Sequence, residues 1–117
     1  MINKLELQIK LLYGLLFAML GALVNLFVMV VNGGKMPVYT GFYFETDLHF
    51  GFTNFSEVNY PYFTDIINLH WFIISIGDIL IFFGALIVFF YLGYTTYQVI
   101  RENRKIDKFM GEFKNEN

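Results

Sequence analysis

One carboxylate lies inside a long apolar run, and two other polar side chains are spaced to accompany it. Asp78 falls within residues 71–93, where Ser75 precedes it by three positions and His70 by eight. On a helix of 3.6 residues per turn these three side chains lie near one face. A carboxylate at that depth in a membrane costs roughly 2.5–3.5 kcal/mol on insertion scales, so it is usually compensated or functional.

A polar side chain in an earlier apolar run lies at a matching depth. Asn25 comes seven residues before Asn32, and Asp78 comes seven residues after Trp71. In an antiparallel hairpin both would lie ~10 Å below the same interface at ~1.5 Å per residue. We therefore predict an intramembrane polar network of Asn25, Ser75 and Asp78.

Three hypotheses account for Asp78. A protonated or hydrogen-bonded carboxyl would fix the pairing of the two helices, since burial raises the pKa of a carboxyl and its neutral form can donate to Asn25. Alternatively, Asp78 pairs with a basic group of a partner subunit. In the third hypothesis it relays a proton or cation, with Asp65 and His70 at the mouth of the path. His70 otherwise reads as an interfacial residue beside Trp71 rather than a metal ligand.

Two elements must position these groups. The chain is 56% hydrophobic and 15% charged, and its apolar residues form two blocks, which is typical of membrane helices. We predict an all-α membrane protein, a two-span helical hairpin with transmembrane helices at residues 11–32 and 71–93. A signal peptide is the alternative for the first block, but its apolar core normally has only 7–15 residues.

The remaining segments follow from charge and aromatic content. Residues 1–10 are expected to be an interfacial lead-in, and residues 94–117 a tail with an amphipathic helix. Residues 33–70 form a long aromatic and acidic loop, suited to a membrane-interface belt, a small cap or a partner contact. Lys4 and Lys10 precede the first block and five Lys or Arg residues follow the second, whereas this loop contains only Lys35. The positive-inside rule then places both termini in the cytoplasm and the loop outside.

Small residues mark a helix-packing face. In the first block they follow a small-xxx-small pattern, which allows close helix approach in lipid, although Gly and Ala are also simply common in membrane helices. The second block adds two glycines. The predicted face comprises Gly14, Ala18, Gly21, Ala22, Gly77 and Gly84.

Two motifs together resemble a domain-of-unknown-function family of small bacterial membrane proteins. They are N-G-G-K-M-P-V at residues 32–38 and S-I-G-D at residues 75–78, with Asp65 and two isoleucines between them. The resemblance implies a location in the plasma membrane and suggests that both motifs belong to one site. In that case the outer turn of Gly33, Gly34, Lys35 and Pro37 would fold back, and Lys35 or neighbouring amides would meet Asp78.

Composition excludes several function classes. The net charge of −2 disfavours nucleic-acid binding, and the absence of cysteine removes thiolate chemistry. No metal or cofactor motif occurs in the sequence. We expect a non-enzymatic protein that acts through helix packing, in contact with membrane lipid, as an accessory subunit of a larger complex or a homo-oligomer.

Two alternative functions remain open. The first is an ion- or proton-handling component that uses Asp78. The second is an outer-face lipid or ligand binder that uses the aromatic loop, with Phe42, Phe44, Phe50 and Phe52.

Overall fold

Two long antiparallel helices carry a small folded cap at one end. The computed structural model describes residues 3–116, with α1 at Lys4–Val31 and α2 at Ile76–Glu116. Both helices are long and apolar enough to cross a membrane. The molecule is elongated, with extents of 80 × 27 × 21 Å. The prediction of a mostly helical protein with two long apolar helices is confirmed.

The first helix begins earlier than the predicted span. A capping box starts it: Glu6 N–H donates to Asn3 Oδ1 at 2.8 Å, and Asn3 N–H donates to Glu6 Oε2 at 3.4 Å. These bonds satisfy backbone donors that a helix start leaves unpaired. The lead-in expected over residues 1–10 is helical from Lys4 onward and continuous with α1, and its position at the membrane interface stays a prediction. Residues 1 and 2 lie outside the described residues.

The first helix ends at the Gly-Gly pair. Gly33 has φ +80°, and Gly34 N–H donates to Met29 O at 2.7 Å. This is the bond that closes a Schellman motif, in which glycine supplies the left-handed residue. Gly33 therefore supplies the left-handed residue that ends α1.

The second helix begins five residues later than predicted. Residues 71–75 are not helical; strand β4 (Ile73–Ile74) pairs antiparallel with β3 (Ile67–Asn68). Helix α2 starts at Ile76 because Ser75 caps it, as described below. A span over residues 71–93 is therefore wrong at its start, and Asp78 lies in the first helical turn.

The second helix also has no boundary at residue 93. It continues to Glu116, so the predicted tail is the inner half of α2. No proline interrupts this stretch, and a single Gly93 costs only ~1 kcal/mol in a helix. The hydroxyls of Thr95 and Thr96 donate to the carbonyls of Tyr91 and Leu92, which keeps these side chains within the helix.

The segment between the helices is a cap that contains β structure. Strands β1 (Met36–Tyr39) and β2 (His49–Phe52) pair in parallel, with Met36 opposite His49. Short 3-10 turns follow at Phe55–Glu57 and Pro61–Phe63. The prediction of an all-α protein therefore holds for the spans but is wrong for this cap. Its interior contains Met36, Val38, Phe52 and Thr64.

Two asparagines attach the cap to the end of α1. Asn59 N–H donates to Asn32 Oδ1 at 2.8 Å, and Asn32 Nδ2 donates to Asn59 O at 2.9 Å. Asn59 Nδ2 also donates to Val31 O, one of the carbonyls left free at the helix end. Phe27 packs edge-on against Tyr60, with ring centroids 5.0 Å apart. The cap is thereby fixed over one end of the helix pair.

Candidate functional site

A hydrogen-bonded network joins the two helices where α2 begins. Asn25 Nδ2 donates to Asp78 Oδ1 at 2.9 Å, and Ser75 Oγ donates to Asn25 Oδ1 at 2.8 Å. The structure thus brings together the three side chains that the depth argument placed at one level. Among residues 3–116, no fully buried side-chain nitrogen or oxygen lacks a hydrogen-bond partner.

The same residues form the N-terminal capping box of α2. Asp78 N–H donates to Ser75 Oγ at 3.1 Å, and Ser75 N–H donates to Asp78 Oδ2 at 3.0 Å. The Ser-x-x-Asp spacing allows this reciprocal pair because residues N-cap and N3 face each other. A carboxylate also suits the positive end of the helix dipole. Both Asp78 oxygens therefore already accept a hydrogen bond, which favours the structural hypothesis for this residue.

Glycines allow the network to form because they bring the two backbones together. A Cβ on Gly84 would lie 2.5 Å from Gly14 O, and one on Gly77 would lie 2.7 Å from Gly21 O. In each helix the two glycines are seven residues apart, a repeat typical of left-handed helix packing. Ala18 N also contacts the Gly84 position. Ala22 is exposed and lies outside the contact between α1 and α2, so its place on a packing face stays a prediction.

A second carboxylate lies above the network. The backbone of Asp65 is held against β1, since Asp65 N–H donates to Pro37 O at 3.0 Å and Tyr39 N–H donates to Asp65 O at 2.9 Å. The residue is only 6% exposed. Within residues 3–116 its carboxylate accepts no hydrogen bond, and the nearest charged partner is His49, with Nε2 3.8 Å from Asp65 Oδ2.

Both carboxylates line one cavity of about 190 Å³ between the helices and the cap. Its walls come from α1, from both cap strands and their connection, and from α2. The lining residues are Asn25, Met29, Met36, Leu48, His49, Asp65 and Asp78. Within the described residues no cluster of three His, Cys, Asp or Glu side chains is arranged to hold a metal ion.

The environment of Asp65 favours its neutral form. Burial raises the pKa of this carboxyl to about 7, and the negative charge of Asp78 contributes in the same direction. Both effects penalise the ionised state, because a buried charge loses hydration and a like charge repels it. Asp65 therefore changes protonation near neutral pH.

The outer turn and His70 do not reach this cavity. Lys35 Nζ pairs with Glu45 Oε1 at 2.6 Å, and Lys35 is not among the lining residues. The hypothesis that Lys35 meets Asp78 is wrong, because the Gly33–Gly34 turn leads directly into β1 with Pro37 buried in it. His70 N–H donates to Asn68 Oδ1, and its ring packs on Trp71.

Of the two residues predicted at the mouth of a path, Asp65 lines the cavity and His70 does not. His49 lines the cavity instead. Sequence analysis assigned no role to His49. The alternation of residues 49–52 is typical of an extended segment, but nothing local in the sequence indicates that this segment pairs with β1. The parallel pairing of β1 and β2 is what places His49 beside Asp65.

The aromatic residues of the cap do not share one surface. Phe42 is 61% exposed, whereas Phe52 is 1% exposed and packs against Tyr39 and Phe55 in the cap interior. Replacement of Phe52 would therefore disturb folding rather than a ligand surface. A ligand surface made from Phe42, Phe44, Phe50 and Phe52 together is wrong for this structure.

Comparison with known proteins identifies relatives but no activity. The model of a family of unknown function, DUF5317, matches residues 4–91, which is more than half of the chain. An uncharacterised protein of Thermotoga maritima is 44% identical over 78 residues, covering 60% of this chain and 46% of the relative. The match therefore spans about half the length of that relative. No solved structure matches this chain.

Proposed function

The chain belongs to the DUF5317 family, as its motifs had suggested, and we propose that it is a small non-enzymatic integral membrane protein that serves as an accessory subunit. Its partner is another membrane-protein subunit or a second copy of itself. One observation supports this function above the others: the inner half of α2 presents an apolar stripe that its own chain leaves exposed.

Membrane insertion is supported by the apolar surface of the helix pair. Leu12, Phe82 and Phe89 are 54%, 60% and 73% exposed. Most of each apolar segment is likewise outside the protein interior, and such a surface is stable only against lipid or protein. The distribution of Lys and Arg orients both termini to the cytoplasm and the cap to the outside of the plasma membrane.

The apolar stripe lies beyond the reach of this membrane. Ile106, Phe109 and Met110 are 59%, 65% and 48% exposed. Because α2 continues without a break, Ile106 lies ~20 Å past residue 93 at ~1.5 Å per residue. Every described side chain from 101 to 115 is exposed. An isolated helix of this length is marginal in water, so a partner helix is the natural cover for the stripe.

Native mass spectrometry of the protein, released from membranes without overexpression, tests this function. We expect co-release with defined subunits, or a multiple of the 13.7 kDa chain mass. The double variant Ile106→Ser/Phe109→Ser should lose the partner. The matched control Lys105→Ser/Lys108→Ser changes the basic side chain that directly precedes each of these two residues and should keep the partner. A wild-type chain released alone with lipid would contradict the proposal.

Ion or proton handling by Asp78 is the weaker candidate. Its two oxygens accept hydrogen bonds from Asn25 and from the Ser75 backbone, so the carboxylate already has a structural role. A relay would require Asp78→Asn to abolish transport while assembly persists. The subunit proposal expects Asp78→Asn to leave partner binding intact.

A further inference from the structure

We propose that the cavity beneath the cap binds a primary ammonium group, from the headgroup of a membrane lipid or from a small free amine. The site is distinct from the exposed stripe of α2 and does not depend on a partner subunit. Three features of the cavity support it: its free acceptor atoms, its apolar walls and its depth.

The acceptor atoms come from two carboxylates on different elements. Asp65 is buried against β1 and accepts no hydrogen bond within residues 3–116. Asp78 accepts one bond at each oxygen, while an ionised carboxylate offers about four lone-pair sites. A primary ammonium donates three N–H bonds, so these two carboxylates can satisfy all of them. An ammonium would supply both a hydrogen-bond donor and the opposite charge to the Asp65 carboxylate, whose nearest basic group is His49 Nε2 at 3.8 Å.

The rest of the cavity suits the carbon atoms attached to an amine. Met29, Met36 and Leu48 contribute most of the remaining wall, and their side chains pack well against methylene groups. An inorganic cation would require more oxygen ligands, because Ca²⁺ takes 6–8 and Mg²⁺ an octahedral set. The volume of about 190 Å³ also exceeds the size of a bare ion.

The depth of the cavity matches a lipid headgroup. It lies between Asn25, six residues before the end of α1, and Asp78, in the first turn of α2. An apolar helix that starts at Ile76 places its first turn at the boundary between hydrocarbon and headgroups. The lipid source rests on the proposed membrane insertion, whereas binding of a free amine does not.

Protonation regulates this site in a defined direction. The groups that face Asp65 are His49 from β2 and Asp78 from α2, while α1 contributes the uncharged Asn25 and Met29. With its pKa at about 7, Asp65 is ionised above neutral pH and able to bind a cation. At lower pH Asp65 becomes neutral and loses its attraction for a cation. Amine binding should therefore tighten as pH rises from 6 to 8.

The test compares primary with quaternary ammonium on the full-length, delipidated protein in detergent. Short-chain phosphatidylethanolamine is titrated against phosphatidylcholine with the same tails, and ethylammonium against tetramethylammonium, by native mass spectrometry at pH 8. We expect at least tenfold tighter binding of the primary member of one pair. Preference within the lipid pair alone identifies a headgroup, and preference within the free-amine pair identifies a small ligand.

Variants separate this site from general charge attraction. Asp65→Asn should abolish the preference, and His49→Gln should keep it at pH 8. Glu45→Gln changes an exposed acid of the same cap, paired with Lys35, and should change nothing. If neither pair shows a preference, or if a folded Asp65→Asn protein retains it, the proposal is overturned. A helical circular dichroism spectrum establishes that Asp65→Asn is folded.

Discussion

Gly21 and Gly77 lie opposite each other across the helix pair, each with the carbonyl oxygen of the other where its own Cβ would be. A Cβ on Gly21 would overlap Gly77 O, and a Cβ on Gly77 would overlap the Asn25 amide as well as approach Gly21 O. The two carbonyl oxygens belong to backbones that are in contact, so neither can move aside as the end of a flexible side chain would. The position of the polar network thus depends on these two glycines.

We expect Gly77→Ala to destabilise the helix pair by about 1–3 kcal/mol, the usual cost of overpacking a well-packed contact. Thermal unfolding in detergent, followed by circular dichroism, measures the change. Gly93→Ala is the matched control in the same helix, because nothing lies within 4 Å of its Cβ position. It should be neutral or add up to ~1 kcal/mol from helix propensity. Equal melting temperatures for the two variants would contradict the glycine contact.

The hydrogen bond between Asn25 and Asp78 predicts energetic coupling between the helices. A double-mutant cycle of Asn25→Ala and Asp78→Ala should be non-additive, because each single change removes the same 2.9 Å bond. We expect a coupling of roughly 0.6–1.7 kcal/mol, as for hydrogen bonds between membrane helices. The cycle of Asn25→Ala with Asp107→Ala serves as control and should be additive. Additivity in both cycles would show that the network contributes nothing to helix pairing.

Asp65 predicts an unusual pH dependence for the amine-free protein. Its folded pKa of about 7 lies above the ordinary value of 3.8 for an aspartate carboxyl, so the folded state binds the proton more tightly. The associated stability is full below pH ~4 and is lost as pH rises through 7, with an upper limit of about 4 kcal/mol at 1.36 kcal/mol per pKa unit.

Asp65→Asn should remove this loss because an amide stays neutral. Its melting temperature should exceed that of the wild type at pH 8 and approach it at pH 5. Asp47→Asn, an exposed carboxyl of the same cap, should follow the wild-type profile. A constant difference between Asp65→Asn and wild type at both pH values would exclude titration of Asp65 as the cause.

The asparagine pair between α1 and the cap predicts local rather than global unfolding. Asn32→Ala removes bonds to both the N–H and the C=O of Asn59. We expect faster amide hydrogen exchange over residues 54–64 and little change within the spans, because the helix contacts are separate. Asn54→Ala is the control, since that side chain bonds only Ser56 N–H in its own turn. Protection unchanged in Asn32→Ala would mean that other contacts hold the cap.

The two helices and their polar side chains could be predicted from the sequence, because they depend on the pattern of apolar and polar residues over short stretches of chain. A long run of apolar residues predicts a membrane-spanning helix. Counting residues along two antiparallel helices predicts that Asn25 and Asp78 lie at the same depth. The same pattern misplaced the start of α2, because an apolar stretch such as residues 71–75 can be extended or helical. The Ser-x-x-Asp spacing was the local signal that fixes this start.

The cavity could not be predicted in this way, because its walls come from segments that are far apart in the sequence and that pair only in the folded protein. Asp65 reaches it only through two backbone bonds to β1, and His49 only through the parallel register of β2. The register of two strands depends on which of their faces become buried together. The residues next to Asp65 and His49 in the sequence give no indication of it.

Helix α2 is continuous from Ile76 to Glu116, so a tilt at one end displaces the other end. Its N-terminal end carries Asp78 in the cavity wall. Its C-terminal end carries the apolar stripe around Met110, ~48 Å away at ~1.5 Å per residue. A tilt of about 5° at the first turn would displace that stripe by about 4 Å over such a length. The proposed amine site and the proposed partner-binding stripe thus lie near opposite ends of one continuous helix.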